Sequence, residues 1–259
     1  MICKPSRGPK KVSATKTTIL LLLSVVFFFG LAESALGQKK FSRTFAAGRA
    51  LRLQLMNRTG TVTVEGWNRS EISVVAYMEA PAAVIVPQEF EGKIDINLVR
   101  DNQGRGEVGN VNFTIRVPYN TIVDIETKIG NLSVTNISSN FVRAHIGLEG
   151  DITLTNIGAE NVAADNVTGD IFFDGEIQEG GSYRFTSMRG NINIRIPFNS
   201  SFKLVATAPS TREISLGPFT NANMTYLSEG RRVMGKFGEG HATISVTNQR
   251  GSIRFLLRR

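Results

Sequence analysis

Apolar and polar residues alternate along most of the chain after Gln38. Clear examples are LRLQL at 51–55, EISVVAYM at 71–78, VNFTIRV at 111–117 and NINIRIP at 191–197. A period of two places the apolar side chains on one face of an extended segment, which predicts β-strands with one buried face. No segment after Gln38 keeps the i, i+3, i+4, i+7 spacing of an amphipathic helix over three turns. We therefore expect an all-β protein.

A glycine recurs between pairs of these strands. The pattern is apolar-x-apolar, four residues, glycine, then x-apolar-x-apolar, and one copy has an extra residue before its glycine. Glycine adopts positive φ without a steric penalty, so the pattern predicts a tight corner between two strands. The glycines of the five strict copies are Gly60, Gly130, Gly169, Gly190 and Gly251, and that of the longer copy is Gly150.

The spacing of the central glycines indicates a stacked repeat. Gly130, Gly150, Gly169 and Gly190 follow one another at intervals of 20, 19 and 21 residues, as expected for units piled on one another. We predict a β-solenoid, a β-helix-like stack of short strands with glycine corners, which is most regular over residues 120–200. The alternative is an antiparallel β-sandwich in which the corners are hairpins. Terminal coils of a solenoid would need caps over their exposed strand edges.

Two shorter repeats accompany the glycines. Thr135-Asn136-Ile137 recurs as Thr155-Asn156-Ile157, which predicts asparagines stacked in a hydrogen-bonded ladder. The segment FTIRVPYN at 113–120 is echoed 79 residues later by INIRIPFN at 192–199. Each copy ends an alternating segment at a proline, where ladder hydrogen bonding must stop.

The first 37 residues differ from the rest. Five basic residues precede a 16-residue apolar run, Thr17 to Ala32, which is followed by the small residues Ala35 and Gly37. This order predicts a secretory signal peptide cleaved near Gly37, leaving residues 38–259 as a single β-strand-repeat domain in the periplasm, at the cell surface or outside the cell. The alternative is an uncleaved anchor, although the run is shorter than the roughly 20 residues that span a bilayer. No second run of spanning length follows, so we expect no membrane span in the mature chain.

Charge and cysteine content exclude several classes of function. The formal net charge is +8, but residues 38–259 hold 25 basic and 21 acidic residues, a balance that argues against a nucleic-acid partner. The single cysteine, Cys3, lies within the predicted signal segment. The mature domain would therefore have neither a disulfide nor a thiolate site. We assign no catalytic or cofactor-binding residue and expect no cofactor.

One group of carboxylates is a weak candidate site: Asp165, Asp170, Asp174 and Glu176. Paired acids of this kind cleave glycosidic bonds in some enzymes, and carboxylate oxygens are ligands for Ca²⁺. The spacing matches no calcium motif, and aspartates at turns commonly accept hydrogen bonds from the local backbone. We therefore favour a solvated turn and assign no metal site.

The remaining ionisable residues suggest little chemistry. His145 and His241 are isolated and form no zinc motif, so we expect them on a strand face or the surface. Six arginines near the C-terminus could contact anionic polymers, or they could protect a terminal strand edge from unwanted pairing. They are Arg231, Arg232, Arg250, Arg254, Arg258 and Arg259.

Several segments resemble a known family. They are NRTGTVTVEGWNRSEISVVAYMEA at 57–80, the Gly-x-Ile-x-Leu strands of the central region and the Ile-Arg-Ile-Pro turn at 194–197. They are similar to the bacterial putative adhesin family of exported β-strand-repeat proteins, which carry a domain of unknown function. The resemblance covers most of the chain after residue 37. It implies a surface or envelope role and brings no catalytic residues.

Two functional hypotheses follow. The favoured one is an exported, non-enzymatic cell-envelope protein, an adhesin or binding scaffold whose partner is an envelope polysaccharide or another surface protein. The alternative is a β-helical carbohydrate-active enzyme that uses the acidic group at 165–176.

Overall fold

A computed structural model describes residues 38–48 and 51–258. The predicted signal segment, residues 1–37, lies outside the described residues. The described residues form 21 strands, one short helix α1 (Leu98–Asp101) and one 3₁₀ helix (Gly217–Phe219). The strands are β1 (Lys39–Ala46), β2 (Arg52–Met56), β3 (Val62–Trp67), β4 (Glu71–Met78), β5 (Gln88–Phe90), β6 (Lys93–Asn97), β7 (Val111–Pro118), β8 (Ile122–Ile129), β9 (Leu132–Ile137), β10 (Phe141–Glu149), β11 (Ile152–Ile157), β12 (Asn161–Thr168), β13 (Ile171–Gly175), β14 (Ser182–Arg189), β15 (Ile192–Ile196), β16 (Phe202–Thr207), β17 (Ile214–Ser215), β18 (Met224–Leu227), β19 (Arg232–Phe237), β20 (Ala242–Asn248) and β21 (Ile253–Leu257).

The strands build two facing sheets. Sheet A has the order β1-β4-β7-β3-β9-β11-β13-β15-β21-β17, and sheet B has the order β18-β19-β16-β20-β14-β12-β10-β8-β2-β6-β5. From β8 to β15 the chain alternates between the sheets, so each coil contributes one strand to each. Stacked strands such as β10 and β12, or β11 and β13, pair in parallel. The predicted β-solenoid is confirmed. The sandwich alternative is wrong because each glycine corner joins strands of different sheets.

The core lies between the two sheets. Every second side chain of a strand points inward, and Val142, Ala144, Ile152 and Leu154 of one coil are fully buried. Because the coils are in register, these side chains form continuous apolar rows along the stack. Phe173 of sheet A reaches across to Phe185 of sheet B, with 5.1 Å between ring centroids. Burial of these rows supplies the main favourable term, about 25 cal/mol for each Å² of apolar surface removed from water.

Six glycines form a column along one edge of the solenoid, as the spacing predicts. Their φ angles are all positive, between 110° and 157°. A Cβ on Gly130, Gly150, Gly169, Gly190 or Gly251 would overlap the carbonyl of the glycine in the neighbouring coil. Only glycine adopts this positive φ without strain and also leaves room for the neighbouring carbonyl. We call this border, formed by the six glycines with the two residues before and the one residue after each, the glycine edge.

The longer copy of the repeat is accommodated locally. The register of β10 against both neighbours shifts between Ile146 and Glu149. This irregularity is a β-bulge that absorbs the extra residue before Gly150. The glycine therefore stays in the column although its repeat is one residue longer.

Buried asparagines complete the hydrogen bonding of the glycine corners. The amide of Asn166 donates to the carbonyl of Gly169 at 2.8 Å, and that of Asn248 donates to the carbonyl of Gly190 at 2.8 Å. Asn57 donates to the carbonyl of Val111 at 3.1 Å. Backbone carbonyls at a sharp corner have no strand partner, and an unpaired buried carbonyl is costly. These side chains therefore supply bonds that the strands cannot.

The two proline segments mark equivalent crossovers. After Pro118 the chain passes from β7 to β8 and steps past the coil β2–β3, and after Pro197 it passes from β15 to β16 and steps past β20–β21. The turns from β9 to β10 and from β11 to β12 advance along the stack by one strand spacing, about 4.8 Å, whereas the two proline crossovers advance by about 10 Å. Both turns close with the same bond, from Thr121 N–H to the Pro118 carbonyl and from Ser200 N–H to the Pro197 carbonyl. The repeated sequence thus encodes a two-coil step.

Antiparallel strands and aromatic packing close the ends of the stack. β1 pairs antiparallel with β4 at one end, and β18 pairs antiparallel with β19 at the other. Phe202, Phe219 and Phe237 pack together at the C-terminal end, with centroids 5.2 to 6.0 Å apart. The predicted caps are confirmed. Within residues 38–48 and 51–258, no helix has the length and apolar character needed to cross a bilayer.

The glycine column can be tested by comparing two glycines of positive φ. We expect Gly169→Ala to lower the free energy of unfolding by at least about 3 kcal/mol, because it adds overlap between coils to the backbone penalty. Gly180 also has positive φ, but a Cβ there meets nothing within 4 Å. Gly180→Ala should cost only about 1 to 2 kcal/mol. Urea denaturation of both variants measures the difference, and equal losses would refute the close-stacking argument.

Candidate functional site

The opposite border of the solenoid carries a polar groove. We call this border the asparagine edge; it comprises residues 118–121, 136–140, 156–160, 175–181 and 197–201, together with Arg258. The groove has a volume of about 380 Å³, and a second recess of about 350 Å³ continues beyond Glu176. The groove is lined by Tyr119, Asn136, Ile137, Ser138, Asn156, Ile157, Gly158, Glu176 and Arg258.

Two stacked asparagines form the floor of the groove. Asn136 and Asn156 have φ of 60° and 54°, a left-handed conformation that asparagine tolerates better than most residues. Nδ2 of Asn156 donates to Oδ1 of Asn136 at 2.8 Å, which confirms the predicted ladder. Nη2 of Arg258 donates to Oδ1 of Asn156 at 2.8 Å and extends the ladder.

Arg258 is held in place by two carboxylates. Its Nε lies 3.3 Å from Oδ1 of Asp174, and its Nη1 lies 3.8 Å from Oε1 of Glu176. Asp174 also accepts a hydrogen bond of 2.9 Å from Arg195, which raises the pKa of that guanidinium above its usual value. The Asp174 side chain is only 6% exposed. Asp174 therefore serves to anchor two arginines.

The structure divides the candidate carboxylates among three places. Asp165 lies on the outer face of sheet B, 3.2 Å from Arg184. Asp170 lies at the glycine edge, where it accepts a hydrogen bond from the Asn191 N–H at 2.7 Å. Asp174 lies near the other end of β13, about 13 Å along the strand from Asp170, and Glu176 follows it on the asparagine edge. The described residues contain no cluster of three or more His, Cys, Asp or Glu able to hold a metal ion.

Both histidines lie where the sequence predicts. His145 is on β10 in sheet B, in register with Glu126 and Asp165 on the two neighbouring strands. His241 is exposed, with its Nδ1 3.7 Å from Oε1 of Glu179. The expectation of strand-face or surface histidines is confirmed.

The C-terminal arginines do not form one patch. Arg231 lies 4.0 Å from Glu229, Arg232 and Arg254 lie on β19 and β21, and Arg258 belongs to the asparagine edge. Arg250 lies at the glycine edge, and Arg259 lies outside the described residues. The dispersal follows from the topology, because β19 and β21 belong to different sheets.

Two exposed aromatic residues were not identified from the sequence. Tyr119 is 45% exposed and lines the groove, and Phe198 is 59% exposed beside the second recess. Each follows the proline of a crossover turn. Phe198 is held edge-on against Phe237, with centroids 5.7 Å apart. The signal was present in the paired segments Pro-Tyr-Asn and Pro-Phe-Asn, but only the fold brings both turns to one edge.

A buried tyrosine braces the loops of this edge. The hydroxyl of Tyr183 donates to the Ala159 carbonyl at 2.9 Å and accepts from the Gln178 N–H at 2.7 Å. It thereby links the corner at 158–160 to the loop at 176–181. Burial raises the pKa of Tyr183 above its usual value of 10.0.

The model of one family matches nearly the whole described region. This is the Toastrack DUF4097 family, and the match covers residues 39–255. The chain belongs to the Toastrack DUF4097 family. The resemblance to the putative adhesin family is thereby confirmed, and the glycine column and crossovers describe how this Toastrack member is built.

Solved structures resemble the chain at low sequence identity, and the first of them, at a TM-score above 0.5, shares its fold. A putative cell adhesion protein from Clostridium sporogenes is 11% identical with a TM-score of 0.53, covering 86% of this chain and 100% of its own. A putative adhesin from Bacteroides fragilis is 10% identical with a TM-score of 0.35, covering 86% and 99%. A putative lipid binding protein from Parabacteroides distasonis is 8% identical with a TM-score of 0.31, covering 84% and 97%. None of the curated proteins matches the chain in sequence.

The anchoring of Arg258 predicts that Arg258→Ala destabilises the protein more than Arg254→Ala does. Arg258→Ala removes an ion pair with a nearly buried carboxylate, although Arg195 continues to neutralise Asp174. We therefore expect a loss of about 1 to 2 kcal/mol, below the cost of leaving a buried charge unpaired. Arg254→Ala, at an exposed position on the adjacent part of β21, should change stability by less than about 0.5 kcal/mol. Thermal or urea unfolding compares them, and indistinguishable variants would contradict the anchoring role.

Tyr183 predicts an alkaline loss of stability. Its pKa is raised in the folded state, so its contribution is fully present below a pH of about 10 and is lost as the pH rises through the raised pKa. We expect the stability difference between the parent protein and Tyr183→Phe to be about 1 to 3 kcal/mol at neutral pH. This difference should shrink at alkaline pH, as measured by urea denaturation across a pH series. If the stability difference stayed constant above a pH of about 10, the pKa of Tyr183 would not be raised in the folded protein.

Proposed function

We propose that this chain is a non-enzymatic binding scaffold of the bacterial cell envelope, and that it holds a polysaccharide along the asparagine edge. The observation that carries the proposal is the polar groove itself. Its floor repeats at the coil spacing, and an exposed aromatic residue stands toward each end. An extended polymer of repeating hydroxyl groups is the ligand class that this arrangement fits.

The chemistry of the groove suits sugar hydroxyls. Within the ladder each asparagine oxygen keeps a second lone pair and each amide keeps at least one N–H, so Asn136 and Asn156 can still bond hydroxyl groups in either sense. Arg258 adds donors and Glu176 adds an acceptor. The two asparagines repeat at about 4.8 Å, the spacing of adjacent strands. The groove can thus offer similar bonds to successive parts of one chain.

The two aromatic residues supply apolar contact. The faces of Tyr119 and Phe198 can cover the C–H faces of sugar rings, while hydroxyl groups at the ring rims remain bonded or in water. The crossover turns that carry them are separated by about five coil spacings, roughly 24 Å. Both turns are built into the rigid stack. The protein itself would therefore lose little conformational entropy when a polymer binds.

Binding is favoured over cleavage because of the state of the carboxylates. Glycosidases of the common type place two carboxyl groups about 5 to 9.5 Å apart on either side of the bond that breaks. Here the Asp174 carboxylate is nearly buried between two guanidinium groups, and Glu176 is paired with Arg258. Asp165 and Asp170 lie elsewhere. Support for the envelope location comes from the predicted signal peptide and from the surface role that the family resemblance implies.

The proposal is tested on immobilised peptidoglycan fragments, lipopolysaccharide O-chains and capsular polysaccharides. We expect binding to at least one of these, with Tyr119→Ala and Phe198→Ala each weakening it by about tenfold, as for loss of a stacked aromatic contact. Tyr226→Ala is the matched control, because Tyr226 is exposed on β18 away from the groove. Release of shortened saccharides, or equal weakening by the control, would argue against the proposal. Absence of binding to the whole panel would also count against it.

A further inference from the structure

Three aliphatic side chains form a row on the glycine edge. They belong to the residues two positions before three successive glycines: Leu148, Val167 and Met188. Val167 and Met188 are adjacent in the β12–β14 register, and the bulge in β10 brings Leu148 opposite Val167. Leu148 is 45% exposed and Met188 is 55% exposed. A contiguous row of exposed aliphatic side chains is unfavourable in water and marks a candidate interaction surface.

A basic cleft adjoins this row. Its volume is about 400 Å³, and its lining consists of Val167, Thr168, Met188, Arg189, Ser210, Gln249 and Arg250. Both arginines are exposed. None of the described residues that line the cleft is acidic. This differs from the groove of the asparagine edge, where Arg258 is paired with carboxylates.

Acidic residues near the cleft do not neutralise it directly. The Asp170 carboxylate accepts the N–H of Asn191 at 2.7 Å, and among the described residues it forms no ion pair with Arg189 or Arg250. Glu229 lies 3.1 Å from Arg212. Glu149, one residue before Gly150, is exposed farther along the edge. The lining of the cleft therefore presents two positive charges together with hydroxyl and amide groups, and the acidic residues of the glycine edge, Glu149, Asp151 and Asp170, lie outside that lining.

We propose that the glycine edge binds the surface of a bilayer that contains anionic phospholipids, with a headgroup phosphate in the cleft. Guanidinium groups bind phosphate oxygens through paired, charge-assisted hydrogen bonds, and Ser210, Thr168 and Gln249 can add donors. Met188, Val167 and Leu148 then enter the boundary between headgroups and acyl chains, where aliphatic side chains leave water.

The row of aliphatic residues favours a bilayer over a hydrophilic polyanion. A polysaccharide or nucleic acid would satisfy the arginines but would leave Leu148 and Met188 without an apolar partner. The glycine corners also contain no aromatic residue on which a sugar or base could stack. This inference is independent of the proposed polysaccharide binding, because the two edges share no residue.

The test uses co-sedimentation with vesicles of phosphatidylethanolamine, with and without phosphatidylglycerol. We expect partitioning onto the phosphatidylglycerol vesicles that weakens as salt is added. Replacing both arginines, Arg189→Gln with Arg250→Gln, should lower the partition coefficient about thirtyfold, or about fivefold for each charge. Met188→Asp should lower it about tenfold. Unchanged unfolding midpoints would establish that these exposed substitutions leave the fold intact.

Matched variants elsewhere serve as controls. Arg232→Gln with Arg254→Gln removes two exposed arginines on strand faces, and Met234→Asp changes an exposed methionine on β19. These controls should alter partitioning by less than about twofold. The proposal is overturned if the controls weaken binding as much as the edge variants do, or if vesicles without phosphatidylglycerol bind equally well. It is also overturned if the protein binds inorganic phosphate or an anionic polysaccharide but no vesicle.

Discussion

The close approach of neighbouring coils at the glycine corners is the constraint on which the rest of the structure depends. At five of the six corners a Cβ would occupy the position of the next coil's glycine carbonyl. Parallel strands must lie about 4.8 Å apart to share their hydrogen bonds, and this corner can stack at that distance only without side chains. The apolar rows of the two sheets stay in register because the corners do. Buried asparagines beneath several corners bond carbonyls that the turn removes from the ladder.

The same constraint makes the two edges of the molecule chemically different. At the glycine corners the flanking residues form the surface, and Leu148, Met188, Arg189 and Arg250 are exposed there. Two of the opposite corners are made by asparagines in the left-handed conformation, Asn136 and Asn156, and they keep their side chains. Those side chains stack into a polar groove. The proposed surfaces for lipid and for polysaccharide thus arise from two ways of turning the same repeating strand.

The candidate site was only partly accessible from the sequence. The repeat Thr-Asn-Ile was sufficient to predict the asparagine ladder, because residues one coil apart must stack once the repeat is accepted. The acidic group at 165–176 was misleading as a unit, since a solenoid sends neighbouring residues to opposite edges within one strand length. Asp170 and Asp174 illustrate this separation. Arg258 lies about a hundred residues from Asn156 in sequence, and no local pattern links them.

The sequence by itself determined the strand periodicity, the corners and the repeat, because these depend on local rules: alternation of apolar residues, the positive φ of glycine and a spacing near 20 residues. The repeat of the two proline segments was also evident from the sequence, but their structural role was not. Only the tertiary structure decided that each segment steps over a coil and that β20 and β21 fill the space left by the second step. Pairing between strands distant in sequence depends on which edges remain open after the other coils have stacked, and such long-range selection leaves no periodic trace in the chain.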